Sequence, residues 1–128
     1  MKELYIPMTV NVLTPGHIKV LEILNKQGWV TVGLLTSDAL KGYKKERMPY
    51  EDRKYVMDTI AIALGHIDVV PQDSLDPTSN IKKHGCTALA SGDGFEDVEL
   101  AAIKKLKLER IDVKLKGEKI KRYSSSKI

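Results

Sequence analysis

Apolar residues follow two different spacings along this chain. In some stretches they form short continuous runs, such as residues 30–35 (VTVGLL), and in others they recur every three or four positions. A short continuous run predicts a strand covered on both faces, whereas the three- or four-residue spacing predicts a helix. The predicted strands are residues 4–10, 29–35, 67–70, 87–90 and 111–115. The predicted helices are residues 15–26, 50–64, 78–83 and 95–105.

Strands and helices alternate in this pattern, which is typical of parallel strands joined by crossover helices. The chain of 128 residues has the length of one domain with its own core. We therefore expect a single α/β domain with three layers, in which helices cover both faces of the sheet. Pro7 lies inside the first predicted strand and lacks the N–H that a central strand uses for pairing. A local irregularity is expected there.

Cysteine content and hydropathy indicate a cytoplasmic protein. Cys86 is the only cysteine, so the chain cannot form an internal disulfide or a cysteine-based metal site. No apolar run approaches the roughly 20 residues that cross a bilayer. The first residues also lack the apolar core of a signal peptide. We therefore expect a cytoplasmic protein with no membrane partner.

Basic residues are concentrated toward the carboxyl terminus. Residues 104–128 contain ten Lys or Arg and three acids, whereas residues 1–103 contain eleven Lys or Arg and fourteen acids. A basic segment indicates an anionic partner, such as nucleotide phosphates or nucleic acid. A solvated surface without a specific ligand has the same composition, so charge alone leaves these alternatives open.

The clearest candidate site is the joint between the first predicted strand and the first predicted helix. Thr14 is a good N-cap, Pro15 suits the first helical position, and Gly16 permits another group to approach the backbone closely. Free backbone N–H groups and the positive helix end favour an anion at such a joint. His17 shares a helix face with Leu21 and should point toward the sheet, either as a phosphate ligand or as a structural residue.

Two long connections that are rich in Lys and Arg follow predicted strands, at residues 36–49 and 116–124. Open α/β sheets bind ligands at the carboxyl ends of their strands, so both connections are expected to be functional loops. Arg53 lies just after the first connection, on the same helix face as Met57. A buried arginine needs an anionic partner. We expect a phosphate in this role, with an acid such as Asp93 as the alternative.

Several segments resemble one enzyme superfamily in their order and spacing. Residues 14–17 (TPGH) match the T/H-x-G-H motif of the nucleotidylyltransferases. Residues 16–22, 30–36, 49–54 and 69–76 look like the cytidylyltransferase branch. Within that branch they are most similar to the enzymes that activate phosphonates or glycerol phosphate with CTP. The resemblance covers nearly the whole chain.

The resemblance implies a three-layer Rossmann-like fold with a five-stranded parallel sheet in the order 3-2-1-4-5. It also implies transfer of CMP from CTP to a small phosphonate or phosphate monoester, Mg²⁺ held mainly by the nucleotide phosphates, a homodimer, and no nucleic-acid or membrane partner. The residues that it places in catalysis are His17, Thr14, Lys44 and Arg53. Lys44 is one of three lysines in a loop that resembles the family's mobile lysine segment. The residues that it places at the nucleotide are Val10, Asn11, Gly16, Asp93, Ser124, Ser125 and Ser126.

Several positions depart from the family pattern. Asn11 stands where the family usually has Asp, which removes a charge near the metal and the phosphates. Thr14 stands where cytidylyltransferases usually have His. The adenylyltransferase branch commonly has Thr at this position, so an ATP-dependent enzyme is an alternative. Gly94 and Phe95 replace an acid and an indole beside Asp93. A non-catalytic nucleic-acid-binding module is a further alternative, suggested by the basic carboxyl-terminal segment.

Overall fold

The computed structural model describes residues 2–92 and 94–113, which form one sheet with its flanking helices. The strands are β1 (Lys2–Met8), β2 (Gly28–Leu35), β3 (Ile67–Gln72), β4 (Ala88–Ser91) and β5 (Glu109–Asp112). The helices are α1 (Pro15–Asn25), α2 (Ser37–Leu40), α3 (Tyr50–Leu64), α4 (Thr78–Lys83) and α5 (Asp97–Leu106). All strand pairs are parallel, in the order β3-β2-β1-β4-β5. The predicted Rossmann-like α/β fold and its strand order are confirmed.

Most predicted elements are present, and the differences occur mainly at their ends. α3 and α4 have the predicted bounds, whereas α5 begins two residues later than predicted and β5 two residues earlier. α2 was not predicted, because it lies inside the connection that we expected to be a loop. Thr36 caps it by accepting a hydrogen bond from the Ala39 N–H at 3.4 Å. The end of the predicted fifth strand, residues 114 and 115, lies outside the described residues.

Pro7 lies in the central strand β1 without interrupting it. The Glu3 carbonyl accepts a hydrogen bond from the Thr87 N–H at 2.9 Å, so the odd-numbered residues of β1 direct their backbone groups toward β4. β1 pairs with β4 at Leu4 and Tyr5, and this ladder ends before Pro7. The N–H that Pro7 lacks would face β4, and pairing with β4 stops before this residue while pairing with β2 continues through it. The irregularity expected here is the early end of the β1–β4 pairing.

Apolar side chains pack on both faces of the sheet, which gives the three predicted layers. On one face, Leu21 and Leu24 of α1 and Met57 of α3 pack against Leu4 and Ile6 of β1. On the other face, beside α4 and α5, the buried residues are Tyr5, Ile81, Cys86 and Leu89. Within residues 2–92 and 94–113, none of the helices combines the length and the apolar composition of a membrane span.

A buried polar network adjoins the second of these cores. The Tyr5 hydroxyl donates to Gln72 Oε1 at 2.7 Å and accepts from Asn80 Nδ2 at 2.9 Å. Gln72 Nε2 donates in turn to the Ser74 carbonyl at 2.9 Å. Burial raises the pKa of Tyr5 far above its ordinary value, so the hydroxyl stays protonated as a donor. Gly33 makes room for this network, because a Cβ atom there would overlap the Tyr5 hydroxyl oxygen and Gln72 Oε1.

Gly33→Ala is expected to lower the free energy of unfolding by about 2–3 kcal/mol, because the added methyl group must displace a buried, hydrogen-bonded side chain. Urea unfolding followed by circular dichroism measures the loss. Tyr5→Phe removes the nearest overlapping atom, so Gly33→Ala should cost less in the Tyr5→Phe background. Equal costs in the two backgrounds would contradict this overlap as the cause.

Candidate functional site

For a sheet with this strand order, a crevice is expected between the carboxyl ends of β1 and β4. These neighbouring strands lead to helices on opposite faces of the sheet, α1 on one face and α5 on the other. Open α/β sheets bind ligands at such a switch point, because the two connections diverge there. The turn after β4 packs directly against α1, since a Cβ atom on Gly92 would lie 3.1 Å from Val20 Cγ2. The joint at residues 14–17 and the residues 91 and 92 that follow β4 therefore both adjoin this crevice.

Thr14 and His17 are joined to each other at the start of α1. The Thr14 N–H donates to His17 Nδ1 at 3.1 Å, and the Thr14 hydroxyl oxygen lies 3.1 Å from the same nitrogen. Thr14 has the extended backbone of an N-cap and is buried, and Pro15 occupies the first helical position, as predicted. Because Nδ1 accepts the backbone N–H, the proton of the neutral imidazole is on Nε2. The half-buried His17 thus has its hydrogen-bond donor on Nε2.

The chain turns sharply just after β1. Val10 is fully buried and has φ 54°, in the left-handed region that β-branched residues rarely adopt. The buried carboxamide of Asn11 follows. Its Nδ2 donates to the Lys45 carbonyl at 3.0 Å, and its Oδ1 accepts from the Arg47 N–H at 3.0 Å. The structure therefore ties Asn11 to the loop between α2 and α3.

Arg53 is fully buried, and its guanidinium is bound by the protein itself. Nε donates to the Met48 carbonyl at 2.9 Å. Nη1 donates to the carbonyls of Thr9, at 3.0 Å, and Leu35. Nη2 donates to Glu46 Oε2 at 2.7 Å. One side chain thus joins the carboxyl ends of β1 and β2 to the residues that precede α3.

The structure pairs Arg53 with an acid of the chain itself. We favoured a phosphate, with an acid such as Asp93 as the alternative, and the guanidinium is paired with the acid Glu46. Hydrogen bonds from Ser37, at 2.6 Å, and from Arg53 hold the pKa of Glu46 below its usual range, so its carboxylate stays ionised. Glu46 was missed because it precedes α3, where helical spacing rules do not apply. Its position in a basic loop before a buried arginine was the available signal.

The three lysines of the predicted phosphate loop have different surroundings. Lys44 is half-buried, and its Nζ lies 5.3 Å from the centre of the Tyr43 ring. Lys41 forms an exposed ion pair with Asp38 at 3.2 Å. Lys45 is exposed and is held through its backbone carbonyl. Contact between Lys44 and a triphosphate stays a prediction.

The turn after β4 is closed by Ser91. Its hydroxyl oxygen accepts from the Gly94 N–H at 2.9 Å, and the hydroxyl donates to the Gly94 carbonyl at 2.6 Å. Gly94 has φ 107°, which explains why glycine suits this position better than the second acid of the family pattern. Asp93, Ser124, Ser125 and Ser126 lie outside the described residues, and their roles at the nucleotide stay predictions.

A separate cleft of about 550 Å³ lies between α3 and the edge strand β3. Its walls are largely apolar, with Asp58, Asp68 and His84 as the ionisable side chains. Among the described residues, none of those predicted from the sequence for the site lines this cleft. Within the described parts of the chain, no three His, Cys, Asp or Glu side chains are grouped so that they could hold a metal ion.

Comparisons with known proteins show what this fold is similar to. No protein-family model matches the chain, and no curated protein matches it. The lipopolysaccharide core biosynthesis protein from Thermoplasma volcanium GSS1 is 18% identical over 88% of this chain and 96% of its own, with a TM-score of 0.71. A protein with unknown function from Archaeoglobus fulgidus is 15% identical over 88% of this chain and 89% of its own, with a TM-score of 0.73. At these identities the likeness is one of fold.

Proposed function

We propose that this protein is a nucleotidyltransferase that transfers CMP from CTP to a small phosphonate or phosphate monoester and releases pyrophosphate. The observation that carries the proposal is the pairing of Thr14 with His17 at the start of α1, beside the crevice where a sheet of this order binds ligands. Backbone N–H groups and the helix dipole favour a phosphate at that position. The resemblance of residues 14–17 to the T/H-x-G-H motif supports the same function.

The proposed reaction depends on positioning and charge neutralisation. An oxygen of the acceptor's phosphate or phosphonate, which is already anionic, attacks the α-phosphorus of CTP, so no strong general base is needed. A new P–O bond forms while the bond from the α-phosphorus to the αβ-bridging oxygen breaks. That oxygen leaves with the β- and γ-phosphates as pyrophosphate. CTP enters as its Mg²⁺ complex, with the metal held mainly by the phosphates.

The four residues that the resemblance places in catalysis have different parts in this proposal. His17 donates from Nε2 to a phosphate oxygen, and Thr14 orients the imidazole through Nδ1. Lys44 supplies positive charge from the loop. The guanidinium of Arg53 already has four protein partners, so we assign it to holding that loop and not to a phosphate.

Thermal unfolding with Mg²⁺ and each nucleoside triphosphate in turn tests the proposal. CTP at about 100 times its Kd is expected to raise Tm by roughly 10 °C, because it binds the folded state alone. Pyrophosphate release is then measured with CTP and a panel of phosphonates and phosphate monoesters. A protein whose Tm no triphosphate raises, and that releases no pyrophosphate, would refute the proposed activity.

An adenylyltransferase of the same fold is the second candidate, and Thr14 is the residue that favours it. The same experiment separates the two, since ATP and not CTP would then raise Tm. An oligonucleotide of mixed sequence is included in the panel, because the basic carboxyl-terminal segment allows nucleic-acid binding. Binding that falls steeply with salt, without turnover of any triphosphate, would favour that non-catalytic alternative.

A further inference from the structure

The loop of residues 41–49, between α2 and α3, has two halves that are held in different ways. The first half continues the turn of α2, because the N–H groups of Tyr43 and Lys44 donate to the Leu40 carbonyl at 3.0 and 3.1 Å. The second half, residues 45–48, is held by side chains from other elements. This second half carries two of the loop's basic residues, Lys45 and Arg47.

Asn11 supplies one of these anchors. Its carboxamide donates to the Lys45 carbonyl and accepts from the Arg47 N–H, each at 3.0 Å, as a neighbouring strand would. Asn11 is only 6% exposed, so water competes little for either bond. Val10, directly before it, has the uncommon φ of 54°. A rare backbone conformation next to a side chain with two hydrogen bonds indicates that the fold sets the direction of this carboxamide.

Arg53 supplies the other anchor, through the Met48 carbonyl and the Glu46 carboxylate. Because Arg53 also binds the Thr9 carbonyl, both anchors attach the loop to the same segment at the end of β1. Each of the four residues 45–48 is thus held by one hydrogen bond to Asn11 or Arg53. The protein's own side chains therefore hold the backbone of a basic loop beside the carboxyl end of β1.

We propose that Asn11 is a positioning residue, which holds the basic loop of residues 41–49 at the carboxyl end of β1 in the conformation that binds a nucleoside triphosphate. This inference rests on the proposed function, since it names the triphosphate as the ligand of the loop. Asn11 acts through the backbone of Lys45 and Arg47. The ordering of the loop is completed when the chain folds, so binding does not have to supply it.

An amide can fill this role and a carboxylate cannot. The Lys45 carbonyl needs a donor, and an ionised Asp at position 11 has none, so two oxygens would face each other in a buried place. The family resemblance predicts the opposite effect, because Asp is the usual residue there. If the position served the metal or the phosphates, Asn11→Asp would improve the enzyme. The two interpretations therefore differ in the sign of one substitution.

The experiment combines steady-state kinetics with amide hydrogen exchange on the full chain. Asn11→Asp is expected to raise the KM for the triphosphate about tenfold, the scale of one lost hydrogen bond, with kcat changed less than about threefold. Asn11→Ala is expected to speed exchange of the Arg47 amide about tenfold or more. Asn25→Asp is the matched control. Asn25 Nδ2 donates to the Leu64 carbonyl at 3.2 Å, so the same change is made away from the loop and should leave KM unchanged.

Each outcome decides for or against the positioning role. A lower KM or a higher kcat in Asn11→Asp would overturn it, and so would unchanged exchange at Arg47 in Asn11→Ala. Faster exchange at Arg47 in Asn11→Ala, together with an unaltered KM in Asn11→Asp, would show that the Asn11 hydrogen bonds are structural and have no part in binding. That result also overturns the proposal. If the parent protein turns over no triphosphate, the proposed function fails. The exchange result then still shows whether Asn11 holds the loop.

Discussion

Arg53→Met is expected to lower the free energy of unfolding by about 3–5 kcal/mol, the scale for removing one partner of a buried ion pair. Methionine keeps much of the apolar stem but has no donors, so three carbonyls and the Glu46 carboxylate lose their partner together. These groups lie at the ends of two strands and in the loop before α3. The substitution should therefore loosen the loop as well as destabilise the fold. Urea unfolding measures the loss.

Lys54→Met is the matched control for this prediction. It removes the same charge at the next position of α3, but Lys54 is partly exposed and pairs with Asp58 one turn along the helix. Exposed pairs of this kind contribute about 0.5 kcal/mol or less. A loss below about 1 kcal/mol for Arg53→Met would show that water replaces the guanidinium. If Arg53→Lys kept full stability but lost triphosphate binding, the phosphate role first expected for Arg53 would be restored.

His17→Ala is expected to lower kcat by about 10² to 10³, the scale for losing one donor to a developing charge. In the proposed reaction, Nε2–H donates to the phosphates, while Nδ1 accepts the Thr14 N–H and holds the ring in place. The substitution also removes a contact at the helix start, worth about 1 kcal/mol of stability. Rates are therefore compared at a temperature where both proteins are folded, with pyrophosphate release as the measurement.

Two further variants show whether the Nε2 donor is the cause. His17→Gln places an amide N–H near the position of Nε2 and should recover part of the rate, whereas His17→Phe should not. His84→Ala, at an exposed histidine, is the control for loss of a histidine elsewhere. A His17→Ala rate within threefold of the parent removes His17 from the mechanism.

The alternation of apolar runs with helical spacing was sufficient to predict the layers, and the start of α1 followed from residues that act locally. Thr14 and Pro15 begin α1 as predicted, because capping and the fixed φ of proline depend only on near neighbours. The strand order came from the family resemblance, and the structure confirms it. The short helix α2 was missed because four residues carry too little periodicity to be seen.

Contacts between distant parts of the chain were decided by the tertiary structure alone. Residue type indicated that Arg53 needs an anion, but not that Glu46 would supply it or that Thr9 and Leu35 would fill its other donors. In the same way, the sequence indicates only that Asn11 replaces an acid of the family pattern. The structure shows that its side chain holds the loop. Local conformational preferences act over three or four residues, whereas these hydrogen bonds join groups 7 to 44 positions apart. Only packing of the strands and helices brings such groups within bonding distance.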